Sequence, residues 1–87
     1  MTELQKTNLQ KKYSELFDFA GFGNYLYYNL QEMMIYTYNQ DISRAYYEAR
    51  GYIQCLKDKG EISMHRALVI KDMLGDFLKD CKNDKQN

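Results

Sequence analysis

The sequence predicts an all-α fold: a compact bundle of about four short helices, forming a single domain over residues 1–87. Three observations carry this expectation. Apolar residues recur with helical spacing in separate stretches. The chain holds no proline, so no pyrrolidine ring interrupts a helix. Each break between stretches holds glycine or a capping side chain, and no strand signal is present. A content of 45% hydrophobic and 15% aromatic residues supplies a core for a domain near the lower size limit of unaided folding.

The first helix is expected over residues 2–20. Leu9, Tyr13, Leu16, Phe17 and Ala20 follow one helical face, while Lys11, Lys12, Glu15 and Asp18 fall opposite. Thr2 and Gln5 have capping-box spacing; Leu4 lies off the stripe, so the first turns are expected to fray. Gly21 and Gly23 end the helix, glycine being the residue that takes the left-handed conformation of a C-terminal cap. Phe22 between them is expected to pin the turn to the core.

Phe19 to Gln40 is the stretch around which the rest is expected to fold, with Glu32 its only charge. Asn24 is placed to cap a second helix over about 25–39. At 100° per residue, Leu30, Met34, Tyr27, Tyr38, Ile35 and Tyr28 share a broad face that is assigned to the core. Asn29, Glu32 and Gln40 lie opposite, and so do Tyr25 and Tyr36. The helix is therefore aromatic on more than its core side.

A third helix is expected to start at Asp41 or Ser43. Ile42, Ala45, Tyr46, Ala49, Tyr52, Ile53 and Leu56 keep helical spacing without a miss. Arg44, Tyr47, Arg50, Gly51, Gln54 and Asp58 form its outer side. Lys57 to Gly60 reads as a helix end, with basic residues at the negative pole of the dipole and Gly60 as cap. Ser63 is the expected N-cap of a fourth helix, with Ile62 stapled against Ala67. That helix runs to about Cys81 on a stripe of Ala67, Ile70, Leu74, Phe77, Leu78 and Cys81. Val69 and Met73 widen the stripe on one flank, Met64 and Leu68 on the other. The short connection at 57–63 makes helices three and four an antiparallel hairpin, and a frayed polar tail is expected from about 82 to 87.

Charge and motif content narrow the function classes. Twelve basic and twelve acidic residues balance to a formal net charge of zero, which removes the general electrostatic attraction to nucleic acid or to an anionic membrane surface. The uncharged stretch holds Asn24, Asn29, Gln31 and Glu32, and its apolar residues are mostly tyrosines, so no membrane span is expected. The polar N-terminus lacks the apolar segment of a signal peptide. A cytoplasmic location is expected.

No catalytic, cofactor or metal motif is found, and the protein is expected not to be an enzyme. His65, the single histidine, has no partner signature for acid–base work and reads as a surface residue. Cys55 lies beside the hairpin turn and Cys81 at its far end. At ~1.5 Å rise per residue they are about 20 Å apart, too far for a disulfide, and both are expected to be buried or half-buried thiols. Asp72, Asp76 and Asp80 recur every four residues and read as a solvated helix face.

The nine tyrosines are the most informative feature. Tyr13, Tyr27, Tyr46 and Tyr52 fit core stripes; Tyr25, Tyr36 and Tyr47 do not. Tyrosine favours binding surfaces because it combines a large contact area and a polar tip with little entropy to lose. Tyr25, Met33, Tyr36 and Tyr47 are therefore the expected protein-binding residues. Another protein is the expected partner, occluded sterically by a tyrosine- and methionine-lined helix face, and the same surface predicts a weak homodimer. The composition resembles that of small helical inhibitors from phages and mobile elements and of immunity-type proteins. The alternative is a small nucleic-acid-binding regulator using Arg44, Tyr47, Arg50, Gln54 and Lys57 of the third helix.

Overall fold

A computed structural model describes residues 1–86, and every element in it is helical: α1 Glu3–Lys12, α2 Ser14–Ala20, α3 Tyr25–Ile35, α4 Asn39–Asp58 and α5 Met64–Gln86. There are five helices in place of about four, because the expected first helix breaks at Tyr13. Its backbone leaves helical geometry there, at φ −109° and ψ 36°. Tertiary contacts hold the break. The Tyr13 ring meets Phe77 edge-on at 5.3 Å, and its hydroxyl donates to the Asp80 carboxylate at 2.5 Å. Lys12 Nζ reaches the same carboxylate at 2.8 Å. The apolar stripe survives the kink: Leu9, Tyr13, Leu16 and Ala20 are buried and Phe17 packs against them.

The helix ends follow the capping chemistry closely. Thr2 and Gln5 form both bonds of a capping box, and Leu4 is exposed. Gly21 takes φ 75° and closes α2. Asn24 precedes α3 as expected, but its side chain does not cap that helix. Instead Asn24 Nδ2 donates backward to the Ala20 carbonyl at 2.9 Å, satisfying an acceptor left over at the α2 C-terminus. Gly60 at φ 77° ends α4, where the Glu61 N–H bonds back to the Leu56 carbonyl, the longer bond of a Schellman motif. Ser63 Oγ accepts from the Arg66 N–H and starts α5.

Three expectations about boundaries are corrected. The second predicted helix stops at Ile35, not near 39, because Tyr36 is extended at φ −62°, ψ 142°. The next helix begins at Asn39 after an extended Tyr38, ahead of both Asp41 and Ser43, and no side chain caps it. Tyr-Thr-Tyr is a β-favouring triplet with low helix propensity, which accounts for the break without glycine or proline. The last helix passes Cys81 and continues to Gln86 in place of a tail frayed from about 82; Asn87 lies outside the described residues.

Helix α4 packs between α3 and α5. The α4–α5 pair is antiparallel: Gln54 accepts a hydrogen bond from Lys71, Lys57 neighbours Met64, and Tyr46 neighbours Lys79. The aliphatic stripes of both helices are buried as read from sequence, through Ile42, Ala45, Ala49 and Ile53 on one and Ala67, Ile70, Leu74, Phe77 and Cys81 on the other. Leu68 and Met64 are exposed instead of widening the core. Cys55 is exposed while Cys81 is buried, and they are not bridged, so the expectation of two buried thiols holds for Cys81 alone. No helix among the described residues is long and apolar enough to cross a membrane.

Candidate protein-binding face

The orientation of α3 decides which residues face outward, and it differs from the expected one. Leu26, Asn29, Leu30, Met33 and Met34 are buried, an arc rotated by roughly 100° from the predicted one at 100° per residue. Tyr28, Ile35 and Tyr38, assigned to the core, are exposed. Asn29, assigned to the outside, is 1% exposed, and its Nδ2 has no hydrogen-bond partner. The physical reason is that aliphatic side chains won the interior. A buried tyrosine must find a partner for its hydroxyl or lose that bond to water, whereas Leu and Met carry no such penalty. The aliphatic residues Leu26, Leu30, Met33 and Met34, weighed without the tyrosines, point to the observed arc.

Of the four expected binding residues, Met33 is withdrawn: it is 0% exposed and sits in the core. Tyr25 is exposed, its ring 5.6 Å from that of Tyr52 and its hydroxyl 3.5 Å from Glu48 Oε2. Tyr36 is half-buried against the core, and its hydroxyl donates to the Glu32 carboxylate. That bond, followed by burial and the Glu32 charge, raises the Tyr36 pKa, with Arg44 working in the opposite direction. Tyr47 is 66% exposed and rests edge-on against Tyr46 at 5.0 Å. Tyr25, on α3, thus touches the α3 side of α4 through Tyr52 and Glu48, whereas Tyr47 lines the α5 side with Arg50, Gly51, Gln54 and Lys71.

The exposed stripe of α3 is the feature that sequence reading missed. Tyr25, Tyr28 and Ile35 follow an i, i+3, i+10 spacing that puts them on one side of the helix, and they are 53%, 58% and 59% exposed. Glu32, between them in the same row, is the only charge and is engaged by Tyr36. The stripe is therefore almost uncharged.

Two cations of the alternative nucleic-acid face have carboxylates beside them. Arg44 pairs with Asp41 at 3.2 Å, and Lys57 lies 3.6 Å from Asp58. Gln54 donates to Asp58 and accepts from Lys71. Tyr47, Arg50 and Gln54 share one cleft, and Gln54 and Lys57 share another. His65 is exposed, as are Asp72 and Asp76, whereas Asp80 is half-buried and held by Lys12 and Tyr13. Those two hydrogen bonds lower the Asp80 pKa against an opposing effect of burial. Among the described residues no group of three or more His, Cys, Asp or Glu side chains is arranged to hold a metal ion. No protein-family model, curated protein or solved structure matches this chain.

Proposed function

We propose that this protein is a non-enzymatic binding module that docks on another protein through the outer side of α3 and occludes it. The observation that supports this most is the exposure of Tyr25, Tyr28 and Ile35 along one nearly uncharged stripe. Each keeps more than half of its surface in water while the core is filled by aliphatics. Aromatic residues on rigid helices are efficient contact residues because little conformational freedom remains to be lost. An inhibitor or immunity-type role, steric in mechanism and cytoplasmic in location, is the functional form that this surface and the composition support. A weak homodimer through the same stripe is the self-association that would compete with the partner.

A pull-down from native cell extract, read by mass spectrometry, tests the reading. One or a few proteins should be enriched by the wild type and lost with Tyr28→Glu/Ile35→Glu at unchanged helicity. Equal enrichment by the double variant refutes the docking face. Nucleic-acid binding is the weaker reading because Arg44 and Lys57 each have a carboxylate beside them. A gel shift with duplex DNA at moderate salt should show no complex.

A further inference from the structure

A second surface, beside the α3 stripe, has the construction of a cation receptor; its Tyr27 ring meets that of Tyr28 edge-on at 6.2 Å. A cleft of about 390 Å³ opens between α1, α2 and the start of α3, lined by Gln10, Phe17, Asp18, Gly21, Phe22 and Tyr27. Three of these six residues are aromatic. The Tyr27 ring stands 6.0 Å from Phe17, nearly perpendicular to it, and 5.1 Å from Phe22 at 58°. Asp18 lines the same opening, and it is exposed and takes part in no ion pair among the described residues. Among the described residues the ring-stacked cations lie elsewhere, Lys12 on Tyr13 and Arg66 on Phe19.

Two of the three rings are held in place before any ligand arrives. Phe17 is anchored edge-on to the core ring of Phe77 at 5.6 Å, and Tyr27 packs against the core. Phe22 is 89% exposed, so burial within the chain does not explain a phenylalanine there. It is displayed by a turn with glycines on both sides, Gly21 at φ 75° and Gly23 at φ 86°. The hydrogen bond from Asn24 to Ala20 ties the turn down, and Asn24 Nδ2 would lie only 2.7 Å from a Cβ added to Gly21. Bare glycine is thus needed to let the lock close beside the cleft.

Aromatic faces carry negative quadrupole charge, and a desolvated cation over two or three of them is bound more strongly than over one. A neighbouring carboxylate adds direct charge complementarity. We infer that Phe17, Phe22 and Tyr27 with Asp18 form a binding site for an alkylammonium cation, such as a lysine or methylated lysine side chain or a free quaternary amine. This goes beyond the α3 stripe and does not depend on it: a failed pull-down leaves this site untouched, and the reverse holds as well.

The test is an NMR titration of the full chain, following the aromatic ring signals. The probes are Nα-acetyl-lysine methylamide, its Nε-trimethyl form, tetramethylammonium chloride, and Nα-acetyl-norleucine methylamide as the uncharged control. The cations should shift Phe17, Phe22 and Tyr27, and norleucine should not. Tighter binding of the lysine derivatives than of tetramethylammonium assigns the ligand to a protein side chain; the opposite order assigns it to a free quaternary amine. Phe22→Ala and Asp18→Asn, both at exposed positions and checked for helicity, should each weaken the cation about fivefold. Absence of ring shifts with every cation, equal shifts from norleucine, or undiminished binding in Phe22→Ala overturns the site.

Discussion

Replacing Asn29 by leucine should make this protein more stable. Asn29 sits at the edge of the buried arc of α3, beside Leu26 and Met33, at 1% exposure. Its Nδ2 donates to nothing. Burying an amide donor without a partner costs about 1–3 kcal/mol relative to leaving it in water. Leucine has the same branching at Cγ, and it replaces that penalty with apolar burial. Its larger methyl groups must be accommodated in a packed interior, for which about 1 kcal/mol is subtracted. The net expectation is a gain of about 1–2 kcal/mol, or a rise in Tm of roughly 4–16 °C for a domain of this size. Urea denaturation followed by circular dichroism measures it, with the m-value expected to stay constant. Asn29→Asp supplies the opposite arm, because an unpaired carboxylate at the same position should destabilise strongly. A destabilised Asn29→Leu would refute the reasoning and show that the amide is satisfied in solution.

Three further outcomes follow from the same structure. Asp80, with its pKa lowered by Lys12 and Tyr13, contributes stability that is present above the ordinary carboxyl value and lost as pH falls through the lowered folded value; Asp80→Asn should flatten the loss seen below about pH 4. Tyr13, with its pKa raised by burial and then by Asp80, gives the reverse: stability is intact below about pH 10 and lost above it, and Tyr13→Phe should remove part of that alkaline loss in a pH-resolved melting series. Gly51 and Gly75 lie inside helices with nothing within 4 Å of an added Cβ, so Gly51→Ala and Gly75→Ala should each stabilise by up to about 1 kcal/mol. A neutral or negative change at either position in chemical denaturation would contradict the open space around it.

What could be read from sequence and what could not divide along a physical line. The α4 and α5 faces were legible because their stripes are aliphatic, and Ile42, Ile53, Ile70 and Leu74 have no reason to be anywhere but inside. The caps at Thr2, Gly21, Gly60 and Ser63 were legible because each depends on chemistry within a few residues. Tyrosine is different: it suits a core or a surface, and counting Tyr27, Tyr28 and Tyr38 as core turned α3 the wrong way. The kink at Tyr13 was invisible because its partners, Phe77 and Asp80, lie more than sixty residues along the chain. For the same reason Met33 was drawn into the binding face when α3 was turned, and Tyr28 and Ile35 were left out. Phe22, expected to fasten the turn to the interior, instead stands in solvent on Tyr27.

The break at Tyr13 also governs how the protein comes apart. Beyond it α1 buries a single residue, Leu9, and the Lys12 and Tyr13 bonds to Asp80 fasten the junction between α1 and α2 to the last helix. The other large helices pack on their immediate chain neighbours, α3 on α4 and α4 on α5, an arrangement of local contacts that favours fast folding. The hairpin of α4 and α5 with α3 laid against it is therefore a unit that can assemble early, and α1 is a segment that can detach at little cost while the rest stays folded. In native-state hydrogen exchange its amides should open in a sub-global event well below the energy of global unfolding. Protection of α1 equal to that of α4 would show that the chain instead unfolds as one piece.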